Sequence, residues 1–73
     1  MSSMIEIKLS DNLKFLMKDH NLKQKSLSEA INVSQSAISA WLSGTKEPCI
    51  ESLWKLADFF DVSIDELVGR KIY

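Results

Sequence analysis

The sequence predicts an all-α fold, a single domain of five short helices. Apolar residues recur at helical spacing in successive segments, residues typical of helix ends stand between those segments, and the 73 residues contain neither an internal repeat nor an interdomain linker. A chain of this length buries only ~60% of its unfolded surface on folding. Each large apolar side chain is therefore expected to matter for stability.

The first helix is predicted to run from about residue 10 to residue 20. Ser10 is a favourable N-cap residue, and the apolar stripe that follows it consists of Leu13, Leu16, Met17 and His20. Asn21 suits the left-handed conformation that often ends a helix.

Residues 1–9 fit two conformations. Ile5, Ile7 and Leu9 alternate with charged residues as in a strand, yet Ile5, Leu9 and Leu13 also fit a longer first helix. Because Ser10 has the character of a cap, we favour an extended N-terminal arm over 1–9. Such an arm is expected to pack on Phe15, which lies outside the apolar stripe.

The second and third helices are predicted at about 24–31 and 35–42, with a turn of about three residues between them. Asn32 suits a left-handed position in this turn, Ser34 is a good N-cap for the third helix, and Gly44 is expected to end it. The inward residues are expected to be Leu27, Ala30 and Ile31 in the second helix and Ala37, Ile38, Trp41 and Leu42 in the third.

The fourth and fifth helices are predicted at about 50–60 and 64–68. Pro48 favours the first turn of the fourth helix. Ser63 and Glu66 form a capping-box pattern at the start of the fifth helix, and Gly69 is expected to end it. The inward residues are expected to be Leu53, Leu56, Ala57 and Phe60, then Leu67 and Val68.

Composition excludes several classes of protein. Hydrophobic residues make up 45% and charged residues 26%, which argues against disorder. One cysteine, Cys49, cannot form an internal disulfide, and one Cys with one His cannot supply the two Cys/His pairs of a zinc-finger type site. We expect no metal or other cofactor. Without a signal peptide or an apolar run long enough to span a bilayer, we expect a cytoplasmic protein with no membrane partner.

The sequence offers no support for catalysis. His20 has no evident partner and is suited to a helix end, where the dipole favours it. Cys49 has no basic neighbour in sequence, so we expect it to be a small structural residue and not a nucleophile. The protein is predicted not to be an enzyme.

Charge is polarised along the chain, although the net charge is only -1. Residues 1–46 hold six lysines and four acids, giving +2, whereas residues 47–73 hold three bases and six acids, giving -3. The first part is therefore the better surface for a polyanion.

Two short helices joined by a tight turn, the second with small polar residues on its outer face, are the parts of a DNA-reading helix-turn-helix. The sequence resembles the phage repressor and Cro-like (XRE) helix-turn-helix family over about Leu9 to Leu67. The matching residues are Gln24, Leu27, Ser28 (where Ala is usual), Ile31, Val33, Ile38, Trp41, Gly44, Pro48 and the run LWKLADFFDVSIDEL. The resemblance implies a compact five-helix, lambda-repressor-like domain that binds double-stranded DNA.

The resemblance further implies that the third helix lies in the major groove. Its base-reading residues would be Gln35, Ser36, Ser39 and Ala40. Gln35 is the first choice, since Gln can hold adenine by two hydrogen bonds, whereas Ser is less selective and Ala40 can only touch a thymine methyl. Without the family pattern, a solvated helix face would be the better interpretation of all four.

Contacts to the DNA backbone are expected around this helix. Gln24 matches the family position that contacts the backbone, at a helix N-terminus that favours a phosphate. The other candidates are Lys23, Lys25, Ser34, Ser43, Thr45 and Lys46. Arginine, the commonest guanine reader, occurs only as Arg70, so we expect the directly read positions to be rich in A·T.

The sequence departs from the family pattern at two linked positions. Many members pair an Arg in the first helix with a Glu at the end of the third; these positions are Met17 and Leu42 here. Apolar residues can replace a buried ion pair at little cost, so we expect Met17 and Leu42 to be in contact. Asn32 stands where Gly is common, and Asn tolerates that conformation.

These observations predict a transcriptional repressor that binds operator DNA as a homodimer. Trp54, Phe59, Ile72 and Tyr73 exceed what so small a core can enclose and are the candidate dimer interface. The alternative is a protein-interaction module, such as an antitoxin, that uses this surface for a different protein partner.

Overall fold

The structure is a computed structural model that describes residues 8–69. Its five helices are α1 (Leu9–Asp19), α2 (Gln24–Ile31), α3 (Gln35–Ser43), α4 (Ile50–Phe60) and α5 (Ile64–Val68), and this range contains no strand. Helix α1 packs against α3 and α5, α2 against α3 and α4, and α4 against α5. The predicted all-α fold is confirmed.

One leucine or isoleucine from each helix forms the centre of the core. These five side chains, all fully buried, are Leu13, Leu27, Ile38, Leu56 and Leu67. Burial of a side chain of this size stabilises the fold by about 1.5–3 kcal/mol. Because every helix contributes to one cluster, the orientation of each depends on all the others.

The predicted helix ends are largely confirmed. Ser34 Oγ accepts a hydrogen bond from the Ala37 backbone N–H (3.1 Å), and Ser63 Oγ accepts one from that of Glu66 (3.0 Å). Asn21 and Asn32 have positive φ of 53° and 57°, and Gly44 ends α3 at φ 77°. Asp61, which was not singled out, takes the same left-handed conformation after α4.

The start of α1 differs from the prediction. The helix begins at Leu9, with Lys8 at the N-cap, and Ser10 lies in its first turn. Leu9 is buried, and the Ser10 hydroxyl donates to the Leu42 carbonyl (2.8 Å), so a tertiary contact uses the group that was expected to cap the helix. The expected arm over 1–9 is therefore wrong at Leu9, and residues 1–7 lie outside the described residues.

Several side chains are also more exposed than predicted. Ala30 is exposed because it lies on α2 away from the arc formed by Leu27, Ser28 and Ile31. His20, placed in the stripe of α1, is exposed at the C-cap, and its ring makes an edge contact with Phe60. Phe15 is 68% exposed.

The start of α1 is joined to the end of α5. The Asn12 side chain donates to the carbonyls of Glu66 (3.2 Å) and Leu67 (3.1 Å), and the Lys8 backbone N–H donates to the Val68 carbonyl (3.0 Å). At Gly69, φ is 81° and a Cβ would lie only 3.0 Å from Lys8 Cβ. Glycine is thus required there both by conformation and by the closeness of α1.

Candidate nucleic-acid interface

Helices α2 and α3 form a helix-turn-helix unit whose turn is residues 32–34. Asn32 turns the chain in the left-handed conformation, and the Val33 backbone N–H donates to the Ser28 carbonyl (3.0 Å). Ser34 then caps α3. The turn is therefore fixed by local hydrogen bonds, while Ile38 and Trp41, 0% and 5% exposed, hold α3 on the core.

The face of α3 opposite the core carries all four predicted base-reading residues. At ~100° per residue, an arc of about 140° contains Gln35, Ser36, Ser39, Ala40 and also Ser43. Gln35, Ser36 and Ser39 are exposed and Ala40 is half-buried. Apart from Gln35, the side chains on this arc are short. A second macromolecule can therefore approach the helix backbone closely.

Hydrogen bonding distinguishes these residues from one another. Within residues 8–69 the structure gives no hydrogen-bond partner to the side chains of Gln35 or Ser39, whereas Ser36 Oγ lies 3.2 Å from Ser34 Oγ. The Gln35 amide therefore has both its donor and its acceptor available, as recognition of adenine requires.

The N-terminus of α2 is open to an anion. Lys23 occupies the N-cap position without a capping side-chain bond, so the first backbone N–H groups of the helix remain available. Lys23 and Lys25 are exposed on either side of the half-buried Gln24. One phosphate at this terminus would meet backbone donors and two ammonium groups.

In the loop after α3, the two hydroxyl residues predicted to contact the DNA backbone are hydrogen-bonded within the protein. Ser43 Oγ donates to the Ala40 carbonyl (3.1 Å) and lies 2.7 Å from Thr45 Oγ1. Either hydroxyl can be the donor in the contact between Ser43 and Thr45. Their contacts with a phosphate remain predictions, as does that of Lys46, which is exposed in the same loop.

Charge in this unit has one predominant sign. From residue 21 to residue 46 the chain holds three lysines, Lys23, Lys25 and Lys46, and one acid, Glu29. Most of the acids of the second part belong to α4, α5 and the turn between them. The basic part of the sequence therefore includes the helix-turn-helix, and the acidic part corresponds to α4 and α5.

A residue that the sequence analysis missed as a support for α3 is Ser10. Its hydroxyl holds the Leu42 carbonyl at the last turn of α3, 32 positions along the chain. Met17 is buried and Leu42 is half-buried against the core, and their mutual contact remains a prediction. No sequence signal points to Ser10, because a long-range acceptor is not visible in local periodicity.

The two described members of the candidate dimer interface lie on opposite edges of the exposed face of α4. Trp54, 67% exposed, lines a groove between α4 and α5, while Phe59, 41% exposed, lines a groove between α2 and α4. Ile72 and Tyr73 lie outside the described residues. Ile50, 78% exposed, precedes Trp54 by one turn and was not among the candidates.

Cys49 and His20 each lie at the end of a helix, where the side chain contacts a residue of that helix. Cys49 is the N-cap residue of α4, and a hydrogen bond to the Ser52 side chain (3.4 Å) lowers the pKa of its thiol from the ordinary value. His20 Nδ1 lies 2.9 Å from the Leu16 carbonyl. Within residues 8–69 no three His, Cys, Asp or Glu side chains form a metal cluster, and no helix has the length and apolarity needed to cross a membrane.

Comparisons with known proteins agree with this geometry. The family model described as helix-turn-helix matches residues 13–67. The chain is 42% identical over 63 residues to the HTH-type transcriptional activator BcrR of Enterococcus faecalis, covering 86% of this chain and 31% of that protein. It is 34% identical to the cryptic phage CTXphi transcriptional repressor RstR of Vibrio cholerae, covering 88% and 57%.

A solved structure is also similar. The crystal structure of a transcriptional regulator from Listeria innocua superposes with a TM-score of 0.84 at 38% identity, covering 94% of this chain and 66% of that one. The chain spans about a third to about two thirds of the length of these three proteins.

Proposed function

The chain belongs to the helix-turn-helix family of non-enzymatic regulators, and on that premise we propose that it is a sequence-specific regulator of transcription, a repressor that binds operator DNA as a homodimer and reads the major groove with α3. The names of its relatives include both an activator and a repressor. A domain bound at an operator excludes polymerase by occupying the DNA, and this needs no contact beyond those to the operator itself.

The outer face of α3 is the observation that carries this proposal. Gln35 and Ser39 are exposed and uncommitted, and Ala40 is the small neighbour that lets a base edge approach. The open N-terminus of α2 and the lysines Lys23, Lys25 and Lys46 supply phosphate contacts that fix the register of the helix in the groove. If α3 were only a solvated helix, the open α2 N-terminus and the lysines near it would have no role in binding.

Selection of bound duplexes from random DNA, repeated with Gln35→Ala at one salt concentration, tests the proposal. We expect a two-fold symmetric, A·T-rich site for the native chain. In the variant, discrimination at one position per half-site should fall by about 1–3 kcal/mol, the value of a bidentate Gln–adenine contact. Ser39→Ala is a matched control on the same face, for which a smaller loss is expected.

Two results would contradict the proposal. If no sequence is enriched and binding simply fades as salt rises, only phosphate attraction remains. If the selected site is dominated by guanines under α3, then Gln35 is not the principal reader.

A further inference from the structure

Two of the three most exposed large apolar side chains of the described residues stand one helical turn apart on α4. Ile50 is 78% exposed and Trp54 is 67% exposed, and their spacing of four residues places them on one stripe. Beside Trp54 lies a groove of about 230 Å³ lined by the apolar residues Ala57, Val62 and Ile64 and by the acids Asp58 and Asp61. Ile50 and Trp54 thus expose an apolar stripe to water beside this groove.

The adjacent stripe carries opposite charges at the same spacing. Glu51 and Lys55 are one turn apart, and within residues 8–69 neither of them forms an ion pair. In Ile50-Glu51 an apolar residue is followed by an acid, and in Trp54-Lys55, one turn later, an apolar residue is followed by a base. Such a pattern is complementary to itself when the helix runs in the opposite direction.

We infer that α4 is the homodimer interface, and that a second copy packs antiparallel on it about a two-fold axis at the level of Ser52 and Leu53. In this arrangement Ile50 of each copy lies against Trp54 of the other, and Glu51 of each lies against Lys55 of the other. The inference rests on the proposed homodimeric function and specifies which surface forms the dimer.

Asp58, one turn beyond Trp54 on the same stripe, lies far from its own copy in this arrangement. At ~1.5 Å per residue, Asp58 lies about 8 Å along the helix from the axis, so the two copies of Asp58 are about 16 Å apart. That separation is about twice the Debye length of ~8 Å at physiological ionic strength. The like charges are screened, whereas the Glu51–Lys55 pairs are in contact.

Phe15, the other exposed aromatic of comparable exposure, lacks this complementarity. Its neighbours one turn away on α1 are Asp11 and Asp19. An antiparallel pair centred on Phe15 would place Asp11 of one copy against Asp19 of the other, which is repulsive. Phe15 is therefore a matched control for Trp54.

The interface is small. Two side chains expose on the order of a few hundred Å² per copy, less than the ~800 Å² per partner of a stable complex. We therefore expect a weak dimer in solution that is completed on DNA, where both copies occupy one duplex and the effective concentration is high.

Sedimentation equilibrium of the full chain over a range of concentrations tests the interface. Trp54→Ala should weaken the dimer about tenfold or more, whereas Phe15→Ala should leave the association unchanged. Glu51→Lys and Lys55→Glu should each weaken it about tenfold, since each places like charges opposite each other. Circular dichroism establishes that each variant is folded.

An equimolar mixture of Glu51→Lys and Lys55→Glu is the decisive sample. In a heterodimer of the two variants, the antiparallel arrangement places a Lys opposite a Glu at both contacts. Association should therefore return to the native strength. If the mixture associates as weakly as either variant alone, or if the native chain remains monomeric at all concentrations and binds half-sites independently on DNA, the interface is wrong.

The duplex selection described above separates this interface from the function on which it rests. A defined A·T-rich half-site with no charge rescue would overturn the α4 dimer and leave reading by α3 intact. Charge rescue without any enriched site would support the α4 dimer and overturn the operator.

Discussion

At the scale of single residues, Ser34 sets the point at which α3 begins. Its Oγ accepts from the Ala37 backbone N–H at 3.1 Å, and the residue after it is Gln35, the proposed base reader. The first turn of α3 has no acidic residue to supply an alternative acceptor. The position of the reading side chain therefore depends on one hydroxyl.

Ser34→Ala is expected to lower the free energy of unfolding by about 1 kcal/mol, because an N-cap acceptor is lost and a backbone donor is left without its partner. Urea denaturation measures the change. Ser39→Ala is the matched control, since Ser39 lies in mid-helix with no hydrogen bond, and Ala there should be neutral or stabilising by up to ~0.5 kcal/mol. Equal losses in both variants would show that the cap contributes nothing.

At the scale of helices, the sequence predicted what is local and missed what is distant. Ser34, Asn32 and Gly44 act on backbone groups within four residues, so their chemistry alone identified the ends of α2 and α3. Ser10 was misjudged because its acceptor, the Leu42 carbonyl, lies 32 positions away. The hydrogen bonds of Asn12 to the end of α5 span more than 50 positions, so no local pattern indicates them.

In the candidate site too, local features were predicted from the sequence and features that depend on tertiary folding were not. The outward arc of α3 follows from helical periodicity once Ile38 and Trp41 are known to be inward. The internal commitment of Ser43 and Thr45 could not be predicted, because it depends on how the loop folds back on the Ala40 carbonyl. The separation of Trp54 from Phe59 was predictable in principle, since residues five apart on a helix differ by ~140°.

The contact between α1 and α3 allows a test of the predicted Met17–Leu42 pair. Met17→Arg should lower the free energy of unfolding by about 3–5 kcal/mol, because a charge is buried without a partner. Met17→Arg combined with Leu42→Glu should cost much less, since each charge then has its counter-ion. Thermal and urea unfolding of both variants give the comparison, and a harmless single substitution would show that Met17 and Leu42 are not in contact.

At the scale of the whole molecule, a net charge of -1 is compatible with binding DNA only because the charges are segregated. The helix-turn-helix segment carries three lysines against one acid, while most acids of the second part belong to α4, α5 and their turn. A polyanion therefore meets a positive surface on one part of the domain only. In the proposed complex, this segregation orients the domain before any base is read and makes the affinity dependent on salt.

The salt dependence can be assigned to particular lysines. Log K falls with log salt concentration by about 0.9 for each phosphate neutralised. Lys23→Gln removes one contact per subunit, so for a dimer the slope should become shallower by about 1.8 while sequence preference stays the same. Lys18→Gln removes the same charge from α1, outside the helix-turn-helix, and should leave the slope unchanged. Binding titrations at several salt concentrations measure both; equal effects of the two variants would mean that net charge, and not the placement of Lys23 at the α2 N-terminus, governs binding.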